Sequence, residues 1–220
     1  MFSWLKYKNH PVFWKTYLKT FKLKQPKSIE TTRFVVFDTE TTGLNTDSDK
    51  MLSIGAVSIL NNTIEVADSI ELYLKQDDYH AETVEMHGIL KDGNLLKFSE
   101  DEAIEQFIVF IGNSVLVAHH AAFDIEMINA ALKKVNLPKL KNKSIDTGIL
   151  YKKLEGKKDS HFNLDILCDE FNIPKHDRHT ASGDAFITAL LFLKIVSKLK
   201  QERTVHYSDL FRTGNSKGLL

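Results

Sequence analysis

Runs of apolar residues predict strands along the first half of the chain. Four β-prone residues begin at Phe34, and two further segments, Met51–Leu60 and Thr63–Leu74, have the composition of strands. Asn61 and Asn62 join the last two and suit a tight hairpin turn. Because the connections are short, these three strands predict an antiparallel start to a sheet.

From residue 114 onwards the pattern alternates between short strands and helices. Strands are predicted at Val115–Ala118 and Ser144–Asp146, and Ser99 with Glu102 forms a capping-box signature before another helix. The remaining helices are predicted over residues 121–135, 147–154, 163–171 and 181–200. Antiparallel strands followed by alternating units predict an α/β fold with a mixed sheet flanked by helices.

The first 30 residues differ from the rest of the chain. They hold both tryptophans and seven lysines against one acid, Glu30. Trp14, Tyr17, Leu18 and Phe21 follow the spacing of an amphipathic helix. One interpretation is a helix that docks on the body, and the other is a surface that binds nucleic-acid backbone, a partner or a membrane surface.

Length and composition limit the class of protein. A chain of 220 residues with 43% hydrophobic residues fits one domain with extensions. A single cysteine, Cys168, excludes an internal disulfide framework and a cysteine-rich zinc site. No apolar run approaches the ~18 residues of a membrane span, and the start does not read as a secretory signal. We therefore expect a soluble cytoplasmic protein with no membrane span.

Two acids follow the first strand directly. Asp38 and Glu40 are two residues apart, so in an extended strand they project from the same face. Two neighbouring carboxylates repel each other and call for a cation. The spacing alone is weak evidence, because it recurs at Asp124 and Glu126. The position at the end of a buried strand is what favours a site.

Two distant acids are candidates to join this pair. Asp124 follows the strand at Val115–Ala118, and Asp184 opens the last predicted helix. Both are preceded by a histidine at the same His-x4-Asp spacing, which also occurs a third time in the chain, so spacing cannot identify a functional histidine. His179 follows a charged and flexible approach and precedes small residues that would admit a ligand. His119 and His120 are read as packing residues or as ligands.

Three segments together resemble the exonuclease motifs of the DEDD superfamily, in its histidine-bearing branch. The segments are residues 37–44 (FDTETTGL), 118–124 (AHHAAFD) and 179–185 (HTASGDA). Secondary matches follow the family order at residues 86–89 (MHGI), 146–147 (DT) and 163–168 (NLDILC). The likeness is strongest to the proofreading epsilon subunit of bacterial DNA polymerase III and related free-standing exonucleases. It covers roughly residues 32–198.

The resemblance implies a fold and a set of roles. The fold would be RNase H-like, with a five-stranded mixed sheet whose first three strands are antiparallel. Two divalent metal ions, Mg²⁺ or Mn²⁺, would be held by four acids, and His179 would be the general base. The metal ligands would be Asp38, Glu40, Asp124 and Asp184.

Nucleotide contacts are also implied by the resemblance. Leu44 would wedge against the terminal base, and His120 replaces an asparagine that is usual in the second motif. The full set implied to contact substrate is Thr39, Thr41, Gly43, Leu44, His87, His119, His120 and Phe123.

The function expected from these features is hydrolysis of phosphodiester bonds at DNA 3′ ends, with release of nucleoside 5′-monophosphates. Two metal ions would activate water and stabilise the leaving oxygen. One alternative is an exoribonuclease that trims RNA, since discrimination depends on 2′-hydroxyl contacts. Another is a catalytically silent nucleic-acid-binding module.

The expected organisation has three parts: a basic aromatic extension over residues 1–30, an exonuclease domain over 31–200 and a tail over 201–220. The tail segment Tyr207–Leu210, with Phe211, loosely resembles clamp-binding peptides, but a packed or disordered tail is favoured. The absence of a long polymerase-binding extension favours a stand-alone nuclease, with a DNA polymerase supplied in trans as the alternative. Single-stranded nucleic acid is the expected partner.

Overall fold

The strands and helices follow the sequence pattern closely. The computed structural model of the chain describes residues 10–77, 88–89, 95–156 and 162–211. The strands in these ranges are β1 (Phe34–Thr41), β2 (Met51–Leu60), β3 (Thr63–Leu74), β4 (Lys97–Phe98), β5 (Val115–Ala118) and β6 (Ser144–Asp146). The helices are α1 (Val12–Thr20), α2 (Glu100–Ile111), α3 (Ala121–Lys134), α4 (Thr147–Glu155), α5 (Leu164–Glu170) and α6 (Ala181–Glu202).

The strands form one mixed sheet in the order β4-β3-β2-β1-β5-β6. β1, β2 and β3 pair antiparallel, whereas β5 and β6 run parallel to β1. The predicted antiparallel start and mixed sheet are confirmed. The predicted strand number of five is wrong, because β4 adds a sixth strand parallel to β3 at the sheet edge. With only two residues, β4 has no alternation for a sequence pattern to reveal.

Successive residues of β1 supply two apolar layers. Val35 and Phe37 belong to the layer with α1, α2 and α3, while Phe34 and Val36 belong to the layer with α4, α5 and α6. This division follows from the period of two along a strand. The sheet is therefore covered on both faces, and functional groups must lie at its edges or strand ends.

The helix α1 docks on the body. Trp14 is fully buried, and the Tyr17 hydroxyl accepts a hydrogen bond from the Lys141 amide (2.8 Å) while donating to the Asn142 side chain (2.7 Å). Asn113 adds a bond to the carbonyl of Thr20 (2.6 Å). Of the two interpretations of this segment, docking agrees with the structure for residues 10–21. The domain boundaries themselves stay predictions.

The two flanks of the sheet domain meet near the start of β1. Glu30, just before β1, pairs with Lys200 near the end of α6 at 2.7 Å.

Beyond α6, residues Tyr207–Leu210 form a short 3₁₀ turn in which Leu210 is buried. In the part of the chain that the structure describes, no helix has the length and apolar character to cross a membrane.

Candidate active site

The alternation of β1 directs Asp38 and Glu40 to one side. Both acids are half-buried, while Thr39 and Thr41 between and after them are buried. The strand end therefore presents two carboxylates on one side, while its threonines are buried on the other. The predicted projection of the two acids from one face is confirmed.

Asp124 joins this pair from the first turn of α3. It is 3% exposed, and its Oδ1 accepts hydrogen bonds from the Thr39 amide (3.0 Å) and the Thr39 hydroxyl (2.7 Å). Asp146 fixes the start of the same helix, because its side chain accepts from the Ala121 amide at 2.9 Å. It also caps α4 by accepting from the Ile149 amide at 3.1 Å. Thr39 of β1 thus connects Asp124 to the strand end that carries Asp38 and Glu40.

Asp184 comes from the first turn of α6, on the other helical layer. The Thr180 hydroxyl caps this helix by accepting from the Gly183 amide (3.1 Å), and Asp184 Oδ2 faces the His179 amide at 3.3 Å. A Cβ on Gly55 of β2 would overlap the backbone at Ala181. The absence of a side chain at Gly55 is therefore what lets α6 start close to the sheet.

Burial and mutual repulsion shape the electrostatics of the acids. Burial is the largest cause that raises the pKa of Asp38 well above its ordinary value, followed by the charges of Asp124, Glu40 and Asp184. Burial, with the charge of Asp184, raises the pKa of Glu40 to about 7. Burial also raises the pKa of Asp124 to about 7, against the hydrogen bonds from Thr39. The cluster therefore favours protons or cations over separate ionised carboxylates.

The acids have the composition of a hard-metal site. Asp38, Glu40 and Asp184 each offer a carboxylate oxygen, and these oxygens lie within 4.8 Å of one another. Carboxylate oxygens suit Mg²⁺ or Mn²⁺. The donor set and the raised pKa values of Asp38 and Glu40 both fit a divalent cation at this position.

Arg178 faces the site, although the sequence only placed it in the charged and flexible approach to His179. Its side chain is 15% exposed and forms ion pairs with Asp165 of α5 and Asp184 of α6. Although burial opposes its charge, the hydrogen bonds that its guanidinium donates to the two acids raise the pKa of Arg178. The signal in the sequence was a basic residue beside a motif histidine, but nothing there identified its acidic partners.

The histidines of the motifs lie in different environments. His179 is exposed at the start of α6, with a backbone φ of 63°. His119 is buried, and its two ring nitrogens lie 2.8 Å from the Thr147 hydroxyl and 2.8 Å from the Phe162 carbonyl oxygen. His120 is exposed and stacks edge-on against His119, with ring centroids 4.5 Å apart. Of the two interpretations of His119, packing agrees better with these contacts.

The loop after β1 is ordered by its own polar groups. Thr41 donates to the Gly43 carbonyl at 2.7 Å, and Asp49 accepts from the Thr42 hydroxyl and the Asn45 amide. A Cβ on Gly43 would overlap Asp49, so this glycine permits the close turn. The loop presents Leu44 with 85% of its surface exposed.

The remaining residues predicted to contact substrate lie in several different environments. Thr39 and Thr41 direct their hydroxyls to Asp124 and to Gly43, respectively. Phe123 is half-buried against the core layer of α1, α2 and α3. His87 lies outside the described residues. Contact of each of these residues with substrate stays a prediction.

Comparison with known families identifies this arrangement. Residues 35–192 match the family described as exonuclease, of the RNase_T type. The chain belongs to this exonuclease family. The matched span includes all four acids and His179, and the resemblance to DEDD exonucleases is confirmed.

Relatives of this exonuclease-family chain include bacterial DNA polymerase III of the PolC type. It is 34% identical to the Listeria innocua protein over 187 residues, which cover 83% of the chain and 12% of the relative. It is 35% identical to the Bacillus subtilis protein over 185 residues, covering 82% of the chain and 12% of the relative. The chain thus spans about one eighth of the length of these relatives.

Solved exonucleases share the fold. E. coli exonuclease I in complex with a dT13 oligonucleotide superposes with a TM-score of 0.66 at 15% identity, covering 78% of this chain and 42% of that one. Exonuclease X in complex with 5′-overhanging duplex DNA gives a TM-score of 0.61 at 20% identity, covering 81% and 96%. These similarities confirm the predicted RNase H-like class of fold.

Proposed function

We propose that the chain is a metal-dependent 3′-5′ exonuclease that hydrolyses phosphodiester bonds at DNA 3′ ends and releases nucleoside 5′-monophosphates, in proofreading or repair. The observation that carries this proposal is the convergence of Asp38, Glu40 and Asp184, with carboxylate oxygens within 4.8 Å, at the end of β1. Asp124 reaches the same strand end through Thr39. Family membership supplies the class of reaction.

In this proposal Asp38, Glu40, Asp124 and Asp184 hold two divalent ions, Mg²⁺ or Mn²⁺. When bound, such ions supply Lewis acidity and positive charge to the reacting phosphodiester. The chain contributes fixed carboxylates: Asp124 is held by Thr39, and Asp184 is held on the first turn of α6. A solved complex of E. coli exonuclease I with single-stranded DNA carries zinc, so the choice of Mg²⁺ or Mn²⁺ for this chain is part of the proposal.

His179 is the proposed general base. Its exposed side chain sits five residues before Asp184, and its amide faces that carboxylate at 3.3 Å. A neutral imidazole can accept a proton from the attacking water, a role worth roughly 10²- to 10⁴-fold in rate. Exposed Leu44 is the proposed wedge against the terminal base, on the loop that follows Glu40.

DNA is the proposed substrate because the relatives at about 34% identity are DNA polymerases, and because two structural neighbours were solved with DNA oligonucleotides. Those substrates belong to those proteins. A DNA polymerase acting beside this chain, and a cytoplasmic location, are parts of the same proposal. A sliding clamp is a weaker candidate partner, since Leu210 of the resembling tail peptide is buried against the body.

The test uses purified protein with Mg²⁺ or Mn²⁺ and matched 5′-labelled single-stranded DNA and RNA oligonucleotides. We expect a ladder of shortening DNA products that EDTA abolishes and that Asp38→Ala does not give. Glu105→Gln, an exposed acid on α2, is the matched control and should retain activity. If the protein prefers RNA, its function is trimming of RNA rather than hydrolysis at DNA 3′ ends. If neither oligonucleotide is cleaved in the presence of metal, a nucleic-acid-binding module is favoured.

A further inference from the structure

The Arg178 guanidinium contacts two acids that lie on different helices. Its Nε and one terminal nitrogen lie 2.9 and 3.2 Å from the two oxygens of Asp165. Its other terminal nitrogen faces Asp184 Oδ1 as an ion pair. The two-point contact with Asp165 fixes the plane of the guanidinium, because the fork of an arginine matches the two oxygens of a carboxylate.

Asp165, which anchors the Arg178 guanidinium, belongs to a different element from the acid cluster. Asp165 lies on α5, which begins at Leu164 with Asn163 as its cap. Asp184 lies on α6, and its Oδ2 faces the His179 amide. The anchored guanidinium therefore reaches Asp184 from outside the cluster formed with Asp38 and Glu40.

Arg178 also acts on the other acids. Its charge lowers the pKa values of Asp38 and Glu40, although burial and repulsion among the carboxylates raise them by more. A cation fixed beside a group of acids offsets their repulsion in the same way as a bound metal ion does. Because Asp184 Oδ1 faces Arg178 and Oδ2 faces the His179 amide, a metal ion bound by Asp184 would compete with these partners for the carboxylate.

We propose that Arg178 is a built-in counterion that pairs with Asp184 in the metal-free protein and gives up this carboxylate when a divalent cation binds. This inference rests on the proposed metal site. Arg178 is then a positioning residue, and its charge and the metal ion compete for Asp184. Removal of Arg178 should lower the stability of the metal-free protein and increase the stabilisation that metal binding produces.

This competition is measurable as a coupling between one side chain and the metal. In EDTA, Arg178→Gln should lower Tm by about 2–6 °C, the range expected for loss of a half-buried charged pair in a chain of this size. Added Mn²⁺ should raise Tm further in Arg178→Gln than in the wild type. Calorimetric titration should give a Kd for Mn²⁺ at least about fivefold tighter, because a unit charge near the ion has been removed.

Two variants control for changes other than the lost pairing. Lys175→Gln removes a positive charge from the same connecting segment, where Lys175 pairs with Asp169 at 2.7 Å, and should leave the Mn²⁺ response unchanged. Arg178→Lys keeps the charge but loses the two-point anchor, so its Mn²⁺ affinity should lie closer to the wild type than that of Arg178→Gln. An unchanged or weaker Mn²⁺ affinity in Arg178→Gln would overturn the competition and leave the exonuclease proposal standing.

An experiment in the absence of metal separates this inference from the proposed function. In EDTA, Arg178→Gln should lower Tm less in an Asp184→Asn background, because the Asp184 carboxylate is already neutral and only the pair with Asp165 is lost. Equal losses in both backgrounds would overturn the ion pair without reference to metal. If Mn²⁺ changes neither Tm nor calorimetric heat in the wild type, the metal site fails and the counterion role fails with it.

Discussion

Two histidine-acid pairs with identical spacing lie in opposite environments. His119 with Asp124 is buried, and burial is the largest cause that lowers the pKa of His119 to about 4. His179 with Asp184 lies at the start of α6, where the histidine is exposed. The third His-x4-Asp pair in the sequence, His87 with Asp92, lies outside the described residues.

The comparison shows what spacing does and does not determine. In both pairs the acid falls in the first turn of a helix, so the local structure around the two acids is the same. Their neighbours differ: Thr39 donates to Asp124 across 85 positions of the chain, whereas Arg178, a cation from the segment just before α6, pairs with Asp184. The spacing therefore places each acid on its helix, while tertiary contacts decide whether the histidine is buried or exposed.

The largest expected effect is at the acid of the buried pair. Asp124→Asn keeps an oxygen for both Thr39 donors but removes a metal-binding charge, so kcat/KM should fall by at least about 10³-fold, several kcal/mol in the barrier. Glu126→Gln on the same helix is the control and should stay near wild type. Substantial turnover in Asp124→Asn would remove this acid from the site.

The next effect separates the two histidines. His179→Ala should lower kcat by roughly 10²- to 10⁴-fold, because the proton acceptor is lost. The Tm increase produced by Mn²⁺ should persist, since the acids remain. His176→Ala, an exposed histidine of the same segment, provides the matched comparison. Near-normal turnover in His179→Ala would exclude it as the general base.

His119 should show the reverse behaviour. His119→Ala removes the ring-nitrogen contacts to the Thr147 hydroxyl and the Phe162 carbonyl and opens a small cavity, which costs about 2 kcal/mol in the free energy of unfolding. The value of kcat, measured where the variant is folded, should stay within about tenfold of wild type. Denaturant unfolding and kinetics on the same preparation test this, and a large kcat loss with unchanged stability would contradict it.

The last effect is a pH dependence that appears only in the metal-free protein. The pKa of Asp124 is about 7 in the folded chain, above its ordinary value near 4. Between these values the folded state holds more protons than the unfolded state, so its stability falls as pH rises from about 4 to about 7. In EDTA, Asp124→Asn should match wild type near pH 4 and exceed it by roughly 4 kcal/mol at most above pH 7.

A constant stability difference between wild type and Asp124→Asn across this pH range would show that the carboxyl is not held protonated by the fold. Denaturant midpoints at several pH values supply the measurement.

Much of the fold could be predicted from the chain. The bounds of β2, β3 and β6 follow from apolar, β-prone runs that end at turn residues, and the capping box places the start of α2. The edge strand β4 could not be predicted, because two residues have no period. Its pairing depends on the position of β3, which only the folded sheet supplies.

The candidate site could likewise be predicted only in part. The positions of the four acids at element ends and the family motifs predict that these acids form one site. The roles of Arg178 and Asp165 could not be predicted, because their contact joins two helical segments through side chains whose meeting depends on how α5 packs beside α6. Asp146 was noted as a motif residue, but its bond to the start of α3 is likewise visible only in the folded chain.

The ion pair between Glu30 and Lys200 has an architectural consequence. It brings together two positions 170 residues apart, on either side of the sheet domain, near the strand end opposite Asp38 and Glu40. A unit whose flanks lie side by side can be inserted into another polypeptide with little disturbance of the host. Insertion of such a unit into a longer polypeptide would thus leave its cluster of acids intact.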